Sequence, residues 1–257
     1  MRTLDFEQRC STVQGPLQAA GPTTTSMQAS QPTAPYTPTD ANRVKRIAYR
    51  ASYDPSVVHS ILDSGYVCHV AFVDAGLPQL IPMTYWRDGE FLYFHSAVRG
   101  RFARVCREAE IAISVTLMDG LVLGHSPINH SMNYRSVVVH GRPEAIDDRL
   151  AKAAAMQSFF AKTIPGRWED LRAVRDDELD ALTVFRLGLE QASAKIRNEF
   201  PDEEDHMPSE PVWTGTIPLR PMFLAPVSDP RFEIQPLPPY LAGFAGKPDF
   251  GSRIEGA

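Results

Sequence analysis

The sequence predicts a mainly β protein with a few peripheral helices, its six or seven strands forming a closed antiparallel barrel. Three observations carry this. Short apolar runs rich in β-branched and aromatic residues recur between Tyr66 and Arg197. Two pairs of runs meet at Asp88-Gly89 and Asp119-Gly120, dipeptides that favour tight hairpins. The strand–helix–strand alternation of a parallel sheet is not seen, and a closed barrel leaves no exposed edges.

In chain order, residues 11–40 hold five prolines and seven threonines, with Asp40 their only charge. Such a stretch cannot bury enough apolar area to offset its ordering entropy, so residues 1–42 are expected to form a disordered tail. A folded domain is expected over 43–200. Asp54-Pro55 opens a helix, with Asp54 as cap, Pro55 at the first position and Val57, Val58, Ile61 and Leu62 inward. Gly65 ends it, and Tyr66–Val73 reads as a buried strand. Gln79–Trp86 and Phe91–Ser96 flank the Arg87–Glu90 turn. Gly100–Glu108 reads as a short helix, and Ile111–Met118 and Leu121–Leu123 as strands around a second turn. Arg135–Gly141 is a strand. A helix capped by Asp147 follows, running to Thr163 with Leu150, Ala154, Phe159 and Phe160 inward. Thr183–Leu189 and Ala192–Arg197 are the last strands. From Pro201 the chain holds 11 of its 22 prolines, and 201–257 reads as an irregular extension wrapped on the domain or a partner.

A net charge of −5 leaves no electrostatic footprint for nucleic acid. No apolar run reaches the roughly 20 residues of a membrane helix. Three scattered cysteines, Cys10, Cys68 and Cys106, argue against a disulfide framework and for a reducing, cytoplasmic setting. The seven histidines show no zinc-site spacing. No Gly-rich dinucleotide fingerprint, phosphate loop or nucleophile elbow is found.

Two stretches carry the chemistry. One is Leu80–Ser96 followed by the basic segment Arg99-Gly-Arg101-Phe-Ala-Arg104. The other is Asn129–Gly141. Strand ends bearing Arg, Ser, His and aromatic side chains suit a flat ring with an anionic tail, such as flavin mononucleotide (FMN). These segments, with Asp54–Val73 and Asn133–Gly141 in this order and spacing, resemble the pyridoxamine 5′-phosphate oxidase-like split-barrel family. The closest branch is its flavin-nucleotide-binding, nitroimidazole-resistance-like proteins. The resemblance implies a homodimer with FMN in two clefts between the subunits.

By that resemblance Arg101 meets the FMN phosphate, with Arg99 and Arg104 near it and the helix start adding a favourable dipole. His95 and Ser96 would line the isoalloxazine ring, and Met83, Thr84 and Tyr85 the ring and ribityl chain. Thr116 would reach the flavin edge. Arg135 and Ser136 would approach from the partner subunit, and Trp213 would cover the site. His95, Arg135 and His130 are the candidates for catalysis. The expected activity is FMN-dependent oxidoreduction of a small flat or nitrogen-containing molecule. The alternative is a flavin or haem carrier or sensor, with His95 or His130 as axial ligand.

Overall fold

A computed structural model describes residues 34–202, 212–232 and 236–246. Ten antiparallel strands form one sheet: β1 (Ala51–Ser52), β2 (Val67–Asp74), β3 (Leu77–Asp88), β4 (Phe91–Ala97), β5 (Ile111–Leu123), β6 (Ser131–Gly141), β7 (Glu144–Ile146), β8 (Leu182–Gly188), β9 (Ala192–Arg197) and β10 (Gly215–Pro218). Five helices surround them: α1 (Pro55–Ser64), α2 (Arg101–Glu108), α3 (Arg149–Thr163), α4 (Asp176–Ala181) and α5 (Pro239–Ala242). The strand path runs β1-β9-β6-β5-β2-β3-β4-β8-β7, with β10 added beside β5. The path has two ends, so the barrel is split, as the family resemblance implies, rather than fully closed. Seven strands were expected at most. The three extra ones, β1, β7 and β10, are two to four residues long, too short to show a period of two.

α1 forms as its sequence dictates. Asp54 accepts from the Ser56 N–H at 2.8 Å, Pro55 occupies the first turn and Gly65 ends the helix. Its face of Val58, Ile61 and Leu62 packs into the barrel with Cys68, Val70 and Phe72 of β2, Ile113 and Val115 of β5, and Val137 and Val139 of β6. β2 is buried on one face only, since Val67 and Val73 point outward. A second, smaller core lies under α3, where Trp86 stacks on Tyr93 and meets Phe159.

Four expectations are corrected. The expected tail over 1–42 reaches too far: Tyr36 is buried in the core, and its N–H bonds the Tyr53 carbonyl at 2.8 Å. The rest of that segment, residues 1–33, lies outside the described residues. Asp119-Gly120 is not a hairpin turn. β5 runs straight through it, with a bulge between Met118 and Gly120. A Cβ on Gly120 would lie 2.7 Å from the Ile217 carbonyl oxygen, so this glycine admits β10 at close range. The cap of α3 is Asp148, not Asp147, and accepts from the Ala151 N–H at 2.8 Å. Leu150 and Ala154 are exposed, whereas Lys152 and Ala155 are buried. The Lys152 ammonium donates to the Leu179 and Leu182 carbonyls at 2.9 and 2.8 Å, joining α3 to the α4–β8 junction.

Candidate functional site

The split has a definite cause. β3 pairs with β2 from Leu77 to Thr84, then with β4 from Tyr85 to Asp88. Its ladder with β4 starts only at Tyr85–Phe94, while β4 continues to Ala97 paired with β8 on its other side. The first half of β3 and the last residues of β4 therefore part company. Met83 and Thr84 stand on one side of this opening, His95 and Ser96 on the other. Alternation puts Thr84 and His95 on the outer face; Met83 packs partly against the core.

α2 begins beside the same strands. Gly100 is its N-cap and offers no side chain, so no side-chain group caps its first-turn N–H groups. Phe102 anchors the helix against Phe72 of β2, ring centroids 5.3 Å apart. Arg101 donates to the Gln79 side-chain oxygen at 3.2 Å and pairs with Asp74 at 3.5 Å. Arg104 reaches the same carboxylate at 2.7 Å. Glu108 lies 3.8 Å from Arg104, and both guanidiniums remain more than half exposed at the helix start.

A flat ledge extends from the opening. The register pairs Thr84 with Val67, Thr116 with Ser136 and Ser136 with Lys195. Carried two residues past the His69–Ser114 pair, the same register sets Val67 beside Thr116. Thr84, Val67, Thr116, Ser136 and Lys195 thus form one row across five strands, roughly 19 Å wide at the usual strand spacing. At its centre is a cavity of about 320 Å³ between Gly65, Val67, Thr116 and the segment Pro221–Phe223. Phe223 closes it by edge contact with Tyr66, centroids 5.8 Å apart.

Three expected residues sit elsewhere. Tyr85 turns into the core, where its hydroxyl donates to the Leu62 carbonyl at 2.6 Å and burial raises its pKa. Arg135 has the parity of inward Val137, opposite to Ser136, and forks onto Asp119 at 2.9 and 2.8 Å. Trp213 is exposed and rests over Gly215, while Met222 and Phe223 cover the cavity. Nothing in the sequence marks Met222 or Phe223 as a cavity wall. A proline-rich segment carries no periodicity from which a roof could be read.

His95 is exposed on β4, yet the protein mass around it disfavours the charged form and lowers its pKa. Its imidazole is therefore neutral at neutral pH. His130 lies in the loop before β6, its Nδ1 2.9 Å from the Ser126 carbonyl. A carbonyl only accepts, so Nδ1 is the donor in this contact. Burial pushes the Cys68 and Cys106 thiols up to about 12, so neither is a nucleophile at neutral pH. Among the described residues no cluster of three His, Cys, Asp or Glu is placed to hold a metal ion. No helix there is long and apolar enough to cross a membrane.

A sequence model of the family described as pyridoxamine 5′-phosphate oxidase matches residues 54–196. Among solved structures, the flavocytochrome Anf3 from Azotobacter vinelandii is similar, with 36% identity and a TM-score of 0.78, covering 82% of this chain and 99% of that one. The FAD and haem binding protein from Mycobacterium smegmatis is similar at 31% identity and a TM-score of 0.73, covering 77% of this chain and 98% of that one. Among curated proteins none matches.

Proposed function

The chain belongs to the pyridoxamine 5′-phosphate oxidase family, and on that premise we propose that it is a flavin-dependent oxidoreductase working as a homodimer. The observation that carries this reading is that Thr84, His95 and Ser96 flank the β3–β4 opening while α2, which presents Arg101, starts four residues after β4 ends. Arg101 and the uncapped first turn of α2 would hold the phosphate, FMN being the smallest flavin that supplies one. The similar FAD and haem binding protein favours extending the cofactor to FAD, whose pyrophosphate offers the same anionic chemistry. When bound, the flavin would supply electron transfer. The protein's part is position. Met83, Thr84 and Ser96 would frame the ring, and Thr116 and Ser136 would offer hydroxyls along the ledge. Neutral His95 would donate one hydrogen bond to a substrate oxygen or nitrogen from its protonated ring nitrogen. The open cavity beside Met222 and Phe223 would take a small flat molecule, since its walls are largely apolar. Free buried thiols at Cys68 and Cys106 fit a reducing, cytoplasmic setting.

A second reading, haem carriage beside the flavin, is favoured by exposed His130, whose Nδ1 is held by the Ser126 carbonyl. A histidine whose Nδ1–H is tied to a carbonyl is set up as a metal ligand. Beside it, exposed Met132, Leu121 and Ile217 pair into one apolar row across β6, β5 and β10. The visible spectrum of the purified protein, with the released chromophore identified by mass, tests both readings. Twin flavin bands near one per chain support the oxidoreductase. An added Soret band that disappears in His130→Ala supports the second. A colourless protein that refuses FMN, FAD and haemin would sink both.

A further inference from the structure

Resting on the flavin reading, the geometry points to Asp74 as a positioning residue that aims the phosphate-binding arginines. Asp74 ends β2, just before a turn in which Ala75 and Gly76 both have positive φ, at 50° and 79°. Its carboxylate is largely buried and spends one oxygen on each arginine: Oδ1 on Arg104 at 2.7 Å, Oδ2 on Arg101 at 3.5 Å. Both arginines are more than half exposed. Left alone, each would sample many rotamers, and ordering such a chain on a ligand weakens binding. The Gln79 side chain fixes Arg101 from β3, and Glu108 lies 3.8 Å from Arg104 on the next helical turn. The result is a bracket between the β2–β3 hairpin and α2. It holds two guanidiniums at a helix start before any ligand arrives.

The two ways of reading Asp74 predict effects of opposite sign. As a mere negative charge near a phosphate site it opposes binding, and its removal tightens FMN by about twofold. As a bracket it favours binding, and its removal weakens FMN by about three- to tenfold, the sum of two loosened partly exposed pairs. Riboflavin has the ring and ribityl chain but no phosphate, so the bracket leaves its affinity unchanged.

The experiment is equilibrium binding of FMN and of riboflavin to the full chain, wild type and Asp74→Ala, followed by flavin fluorescence at fixed salt. Asp74→Asn, which keeps the shape of the turn, is measured alongside in case the alanine variant does not fold. We expect FMN to weaken while riboflavin holds. In an Arg101→Gln/Arg104→Gln background, which has nothing left to aim, the Asp74 substitution should cost nothing further. FMN affinity unchanged or improved by Asp74→Ala would overturn the assignment. So would equal losses for FMN and riboflavin, which mark a residue that only holds the turn. A wild-type protein that binds neither flavin would overturn the flavin reading itself, and Asp74's role with it.

Discussion

Tyr85 shows how one side chain decides between binding and building. Its neighbour Thr84 lies on the open face, and a period of two sends Tyr85 the other way. The Leu62 carbonyl it meets belongs to the last turn of α1 and has no partner within the helix. The phenol therefore caps α1 from β3. Gly65 makes room for it: a Cβ there would lie 2.7 Å from the Tyr85 hydroxyl. Tyr85→Phe should cost about 1–2 kcal/mol, since a buried acceptor is left unpaired, and lower Tm by a few degrees. Flavin content should be unchanged. A variant with wild-type Tm that has lost flavin would return Tyr85 to the binding site.

At the level of the element, the passage from β5 to β10 joins stability to the site. The bulge at Asp119 turns its carboxylate to Arg135, and Gly120 lets β10 lie against β5. β10 in turn leads into Pro221–Phe223, the roof of the cavity. Gly120→Ala should push β10 outward, cost about 1–3 kcal/mol by overpacking and expose residues 212–232 to limited proteolysis. Unchanged protease resistance would show that β10 is held by something other than this close approach. The same strand marks where the sequence stops being legible. Asp-Gly between apolar runs is the composition of a turn, and only a third strand arriving from a hundred residues away makes it a bulge. α3 is a parallel case. Lys152 reads as a solvent-facing residue until the α4–β8 carbonyls are seen to satisfy its ammonium, and that shifts the buried face by one position. Legibility was good where the signal is local: the Asp54 cap, the turn at Gly89 and the seven longer strands. Of the proposed site, Thr84, His95, Ser96, Arg101, Thr116 and Ser136 are candidates that the sequence itself offers; Met222 is not, because its place depends on where an irregular segment lands.

Across the whole molecule, the outer face of β2 and β3 is apolar and open. Leu80 is 63% exposed and Val67 53%, and exposed Val73 shares their face. Single exposed apolar residues are ordinary, but a contiguous set beside a ledge of hydroxyls is the composition of an interface. The row from Thr84 to Lys195 borders this face, so a second copy packed there would wall the cofactor site from above. Dimerisation and flavin retention should then be a single linked equilibrium. Leu80→Glu places a charge in the middle of the face without touching the core or the α2 start. It should shift the protein from twice the chain mass to one chain mass in sedimentation, and flavin should be lost in parallel on dilution. Far-ultraviolet circular dichroism should stay as in the wild type, since the residue is outside the fold's interior. A monomeric wild type that keeps its flavin would sink the linkage and place the entire site within one chain. A dimeric Leu80→Glu variant would move the interface to another face, with the exposed row of Met132, Leu121 and Ile217 next to be tested.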